Sequence, residues 1–151
     1  MGNEKYLTIE ETFNLAIQNH QNNKLDLAQD LYGQILKIDP NYVNAHYNLG
    51  IIFKELGEIQ KAISCYEKVI AIDPNYVNAH YNLGNVFKEL GKIQKAKECY
   101  EKAIEIDPLN KKSQVAYGRI LLILNDKLKG YEYLQRSQGV IKFTPSNYKI
   151  I

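Results

Sequence analysis

Asp39-Pro-Asn-Tyr-Val-Asn-Ala-His-Tyr-Asn-Leu-Gly50 recurs without a change as Asp73 to Gly84, 34 residues further along the chain. Agreement continues past it: Phe53 to Gly57 is copied at Phe87 to Gly91, and Cys65 to Lys68 at Cys99 to Lys102. Asp-Pro returns three times on the same period, at Pro40, Pro74 and Pro108. A fixed period of this length marks stacked supersecondary units, so it governs every later reading.

Within one period the apolar residues fall at helical steps. Ala45, Leu49, Ile52, Phe53 and Leu56 mark one face of a first helix, which Gly57 interrupts. Ile59, Ala62, Ile63, Tyr66, Val69 and Ile70 mark a second. It stops at Asp73-Pro74, because proline lacks the helical N–H and clashes with the preceding turn. Each unit is therefore a helix–turn–helix whose two amphipathic rods bury their faces only by stacking. Gly50 and Gly84 fall mid-helix, where glycine costs about 1 kcal/mol against alanine. A helix packed too close for a side chain would justify that cost. Ala62 and Ala96 are the matching small residues on the second helix, with Tyr66 and Tyr100 as the large partners.

Leu49-Gly50, Phe53, Gly57, Ala62, Tyr66 and Pro74, in this order and period, resemble the tetratricopeptide repeat, W-x₂-L-G-x₂-Y…A-x₃-F…P. The departure is the leading aromatic slot, held by His46 and His80. Before these units, Leu15-Ala16, Ala28, Tyr32, Ile35 and Pro40 keep the pattern, although polar Asn19 fills an aromatic slot and Gly33 weakens the second helix. After them, Tyr117-Gly118, Leu121, Leu124-Asn125, Gly130 and Leu134 hold the register more loosely. The expected fold is an all-α, right-handed α-solenoid of about four repeats, at about 9–42, 43–76, 77–110 and 111–138. A non-helical C-terminal arm is expected over 139–151.

Composition excludes several other classes. The 151 residues are 45% apolar and 24% charged, an ordinary globular balance. A formal net charge of +2 is too small to argue for a nucleic acid or an anionic membrane, and neither is expected as a partner. The longest apolar run, Ile120 to Leu124, is far shorter than a membrane span. The start, Met-Gly-Asn-Glu-Lys-Tyr6, lacks the apolar core of a signal peptide, and Tyr6 stands where myristoylation wants Ser or Thr. With two cysteines and no signal, the expectation is a reduced, cytoplasmic protein.

The resemblance implies that first helices of successive repeats line a concave groove. Asn14, Asn48 and Asn82 share one phase of the repeat and would form a ladder along it. A carboxamide offers donor and acceptor, so it can grip the backbone of an extended peptide whatever its sequence. Helices packed roughly 10 Å apart would place one asparagine at about every third residue of such a peptide. Tyr47-Asn-Leu-Gly50 and Tyr81-Asn-Leu-Gly-Asn85 resemble the repeats of the O-linked N-acetylglucosamine transferase superhelix, which carries such a ladder. Around it would lie Asn44, Asn78, Tyr47, Tyr81, Lys54, Lys88 and Asn85. The asparagines also read as plain solvated helix residues, and Lys54-Glu55 and Lys88-Glu89 as an ordinary charged face. Chaperone-binding members of the family use a two-carboxylate clamp. Here its slots hold Phe13, Asn78 and Asn82 in one frame, and Tyr47, Lys112 and Ala116 in the next, so that ligand is not expected.

No residues mark a catalytic, cofactor or metal site. Cys65 and Cys99 are repeat equivalents, expected about one repeat rise apart and beyond disulfide reach. His46 and His80 are also repeat equivalents and read as packing residues. From Gly139 the sequence turns β-branched and aromatic without a helical period. Leu122 and Ile123 replace the Lys-Glu of the two central units, as an apolar strip suited to such an arm. The arm has three readings: a cap on the last repeat, a link between subunits, or the start of a further domain. The expected function is a non-enzymatic module that binds an extended peptide or partner segment. The alternatives are a self-assembling scaffold joined through the arm, or the recognition domain of a larger transferase-like enzyme.

Overall fold

The computed structural model describes residues 7–138. Among them are eight α-helices and no strand: α1 (Ile9–Gln21), α2 (Leu25–Ile38), α3 (Val43–Glu55), α4 (Ile59–Ile72), α5 (Val77–Glu89), α6 (Ile93–Ile106), α7 (Lys111–Ile123) and α8 (Lys127–Gln138). The chain divides into two compact units between Ala79 and His80, inside α5. The all-α helical-repeat class is the one that the sequence period calls for. The expected C-terminal arm at 139–151 lies outside the described residues.

In the first unit α1 packs on α2, α2 on α3 and α3 on α4. Ala16, Ala28, Leu31, Tyr32, Ile35, Ala45, Leu49 and Ile52 form one continuous apolar core across these stacked hairpins. Residue size sets how closely α3 and α4 approach: a Cβ on Gly50 would stand 2.6 Å from Cε1 of Tyr66. In the second unit α6 packs on α7 and α7 on α8. Gly84 meets Tyr100 as Gly50 meets Tyr66, again at 2.6 Å. The last hairpin solves the same problem differently. Gly118 and Gly130 bring two backbones together, with a Gly118 Cβ only 2.9 Å from the carbonyl oxygen of Gly130.

Two local devices recur with the period. Asn23, Gly57, Gly91 and Asn125, each 34 residues apart, all take the left-handed conformation, with φ of 58°, 74°, 69° and 64°. Glycine has no Cβ to oppose that turn and asparagine tolerates it, so the outer hairpins turn as the inner ones do. Asp39, Asp73 and Asp107 end α2, α4 and α6 in extended backbone. Each carboxylate then accepts from the N–H two residues on, at 2.9, 3.0 and 3.0 Å. The following proline cannot continue the helix, so Asp-Pro is both stop and turn. At the start of α1, Thr8 and Glu11 form a reciprocal capping box.

The polar residues of the leading aromatic slot have a use of their own. Nε2 of His46 lies 2.9 Å from the carbonyl oxygen of Pro40, and Nε2 of Gln114, at the same phase, donates to that of Pro108 at 2.6 Å. Thr12, one period earlier than His46, donates from Oγ1 to the carbonyl of Thr8 at 2.8 Å. In these three repeats the slot ties the first turn of the helix to the chain leading into it. His80 is buried. Asn19 is buried too, its carboxamide donating to the Leu15 carbonyl at 2.8 Å.

Candidate functional site

The candidate residues sit on α1, α3 and α5, and the two units place them as follows. In the first, Asn14 and Asn44 are exposed, while Tyr47, Asn48 and Lys54 are half-buried. Nδ2 of Asn48 donates to the carbonyl of Asn44 at 2.8 Å. One carboxamide proton is thereby used within α3, leaving the Oδ1 lone pairs and a second proton. The carboxamide oxygen of Asn44 accepts from the hydroxyl of Tyr76 at 3.3 Å.

Tyr47 is set firmly. Its ring stands 5.1 Å from that of Tyr76 and 6.1 Å from that of Tyr66, both tilted. Phe13, at the same phase of α1, has the same surroundings, with Tyr42 at 5.4 Å and Tyr32 at 5.7 Å. Such tilted pairs orient rings with little residual freedom. Tyr47 is thus as much a packing residue as a surface one, which its position beside Asn48 in the sequence does not reveal.

In the second unit Asn78 lies just outside, on the first turn of α5, and is exposed. Tyr81, Asn82 and Asn85 are half-buried and Lys88 is exposed. The Tyr81 ring lies 5.9 Å from that of Tyr100. The hydroxyl of Tyr100 donates to Oδ1 of Asn85 at 2.8 Å. Asn85 therefore satisfies a buried tyrosine, a role hidden in the sequence because its partner lies across the hairpin and its repeat equivalent is Ile51.

Electrostatics follow burial. Desolvation lifts the Tyr32 hydroxyl to about 12 and the Cys65 thiol to about 11, and raises Tyr100 further still. Tyr117 is raised by desolvation and by donating to the Glu101 carboxylate at 2.8 Å. All four groups are neutral around pH 7, and Cys65 packs against the core of its unit as a small apolar residue. His20, at the phase of Lys54 and Lys88, places Nε2 3.0 Å from Glu55 and so links the ends of α1 and α3. Among the described residues no group of three His, Cys, Asp or Glu side chains is placed to hold a metal ion. No helix among them is long and apolar enough to cross a membrane.

A family model described as TPR repeat matches residues 19–57 and 52–91, and one described as Tetratricopeptide repeat matches 77–110. Together they span well over half of the chain. The chain belongs to the tetratricopeptide-repeat family.

Tetratricopeptide repeats serve protein interaction and scaffolding, and that coarse role comes with membership. The fold is similar to a crystal structure of MamA, at 24% identity and a TM-score of 0.80, over 87% of this chain and 77% of that one. A double mutant, MamA RS-1 ArsTM, aligns at 22% identity and a TM-score of 0.77, covering 87% and 74%. MamA 41-end from Desulfovibrio magneticus RS-1 aligns at 22% and 0.76, covering 87% and 75%. At such identities the likeness is one of tetratricopeptide fold alone. No curated protein matches the sequence.

Proposed function

We propose that this chain is a protein-interaction module which holds an extended segment of a partner along its first helices. The observation that carries the reading is the surface at Asn48. A carboxamide with unused hydrogen-bonding capacity stands next to a tyrosine already fixed by two other rings. Such a site takes hold of a peptide backbone at small entropic cost, because little has to be ordered on binding. Asn14 stands beside Phe13, itself flanked by two rings, on α1 of the first unit, and Asn82 holds the same phase of the repeat on α5 in the second, beside Tyr81. The likeness to the asparagine ladder of the transferase repeats supports the same use.

Asn44, Tyr47, Tyr81 and the exposed Asn78 supply the rim of this surface, with Lys54 and Lys88 favouring an acidic segment. Asn85 contributes by holding Tyr100 rather than by touching the partner. Neutral, packed Cys65 and the composition suit a reducing cytoplasmic setting. The test is affinity capture from the source lysate by the wild-type chain beside Asn48→Ala/Asn82→Ala. A partner retained by the wild type and lost from the variant supports the reading, and equal capture by both sinks it.

A self-assembling scaffold is the second reading, favoured by the apolar side chains exposed on the last hairpin, Leu128 above all at 80%. Sedimentation of the whole chain against a version ending at Gln138 separates the two. A fall in mass on truncation supports assembly through 139–151, and a monomer in both cases removes it.

A further inference from the structure

The turn between α7 and α8 exposes an apolar patch that the inner hairpins do not have. Ile123 is 60% exposed, Leu128 80% and Tyr131 57%. One and two periods earlier, Ile123 corresponds to Glu89 and Glu55, and Leu128 to Gln94 and Gln60. All four of those residues are exposed. Ile123 and Leu128 thus stand at positions which this fold leaves to solvent, and which the chain elsewhere fills with polar side chains. Leu128 and Tyr131, three apart on α8, share one face, and Ile123 is the last residue of α7, on the other side of the short turn at Asn125. Leu122 does not belong to the patch: it packs inside the hairpin, its Cδ2 2.7 Å from where a Gly130 Cβ would be. Exposed apolar side chains gathered at one place on a polar framework mark a surface that is covered in use.

We propose that residues 139–151 of the same chain cover this patch. Thirteen residues follow Gln138. Extended, they reach about 43 Å, against about 15 Å from Gln138 back along α8 to Leu128. They carry Val140, Ile141, Phe143, Tyr148, Ile150 and Ile151, with two lysines and no acidic residue. That composition needs an apolar surface to lie on, and the patch begins one helix away. The segment is tethered there, so its effective concentration exceeds that of any free partner. The proposal is independent of how the asparagines are used.

The test is limited trypsin digestion of the full chain, with cleavage after Lys142 and Lys149 followed by mass spectrometry. Ile123→Glu/Leu128→Gln restores the residues of the inner hairpins at exposed positions, so the helices should persist, as circular dichroism would verify. Cleavage at both lysines should speed up roughly tenfold or more, since it tracks the population in which the segment is released. Phe143→Ser should have the same effect, and combining it with the patch variant should add little, as expected of partners in one contact. Unchanged cleavage in both variants would overturn the proposal. A wild-type cleavage rate that falls as protein concentration rises would also overturn it, assigning the patch to a second copy.

Discussion

Tyr66 lies flat against the missing side chain of Gly50: a Cβ there would meet its ring at 2.6, 2.9 and 3.0 Å. The ring has no room to retreat, being buried and held 6.1 Å from that of Tyr47. Glycine mid-helix sacrifices about 1 kcal/mol of helix propensity. Gly50→Ala recovers that much but overpacks the α3–α4 contact, which typically costs about 1–3 kcal/mol. The expected net effect is a lower melting temperature. Gly33, mid-helix in α2 with nothing within 4 Å of its would-be Cβ, is the control. Gly33→Ala should raise the melting temperature, and calorimetry of both variants checks the contrast.

Tyr32 and Tyr100 share a phase of the repeat but not a hydrogen bond. The Tyr100 hydroxyl reaches Asn85, while that of Tyr32, buried in the first unit, has no hydrogen-bond partner among the described residues. An orphaned buried hydroxyl costs roughly 1–3 kcal/mol, and a satisfied one contributes about 0.5–1.5 kcal/mol. Tyr32→Phe should therefore stabilise the fold or leave it unchanged, and Tyr100→Phe should weaken it. Urea denaturation gives both signs. Destabilisation by Tyr32→Phe would contradict the assignment.

Alkaline pH should unfold this protein earlier than its ordinary composition suggests. Burial raises Tyr32 to about 12 and raises Tyr100 and Tyr117 beyond the normal tyrosine range. Between the unfolded tyrosine value of about 10 and those raised values, the folded state keeps protons that the unfolded chain has lost. Stability therefore holds below about pH 10 and falls as pH rises further. Melting temperatures measured from pH 7 to 12 should be level at first and then decline. Tyr117→Phe should weaken that decline.

Cys65 offers a chemical check on the same burial. With its thiol raised to about 11, only about one part in ten thousand is thiolate at neutral pH. Iodoacetamide should modify Cys65 slowly in the native protein and rapidly in denaturant, as peptide mapping would show. Fast native labelling would mean that the α3–α4 hairpin is looser than described.

Much of this architecture was legible because the period wrote it four times. Asp-Pro stops, Gly57 and Gly91, and the Gly50–Tyr66 pairing each show in the two near-identical units, where any residue type at a fixed phase has a common cause. The outer hairpins were harder to read, since Asn23 and Asn125 do the work of glycine through tolerance of the left-handed turn. The candidate surface was less legible than the fold. Phase shows which residues share a helix face, but not what crosses the hairpin to meet them. Hence phase alone does not show that Asn85 also holds the Tyr100 hydroxyl, or that Tyr47 is also packed against Tyr66 and Tyr76. Leu122 and Ile123 read as one strip, yet helical geometry turns Leu122 inward and leaves Ile123 out.

The most direct test of backbone gripping uses a peptide selected for binding from a random library. Its affinity would be measured by calorimetry against the wild-type chain and Asn48→Ala/Asn82→Ala, and again after N-methylation of alternate peptide amides. Each hydrogen bond is worth about 0.5–1.5 kcal/mol, so the double variant should bind roughly ten to a hundred times more weakly with an unchanged melting temperature. N-methylation should cost the wild type a similar factor and cost the variant little more. Full affinity in the double variant, or N-methylation felt equally by both proteins, would contradict the account.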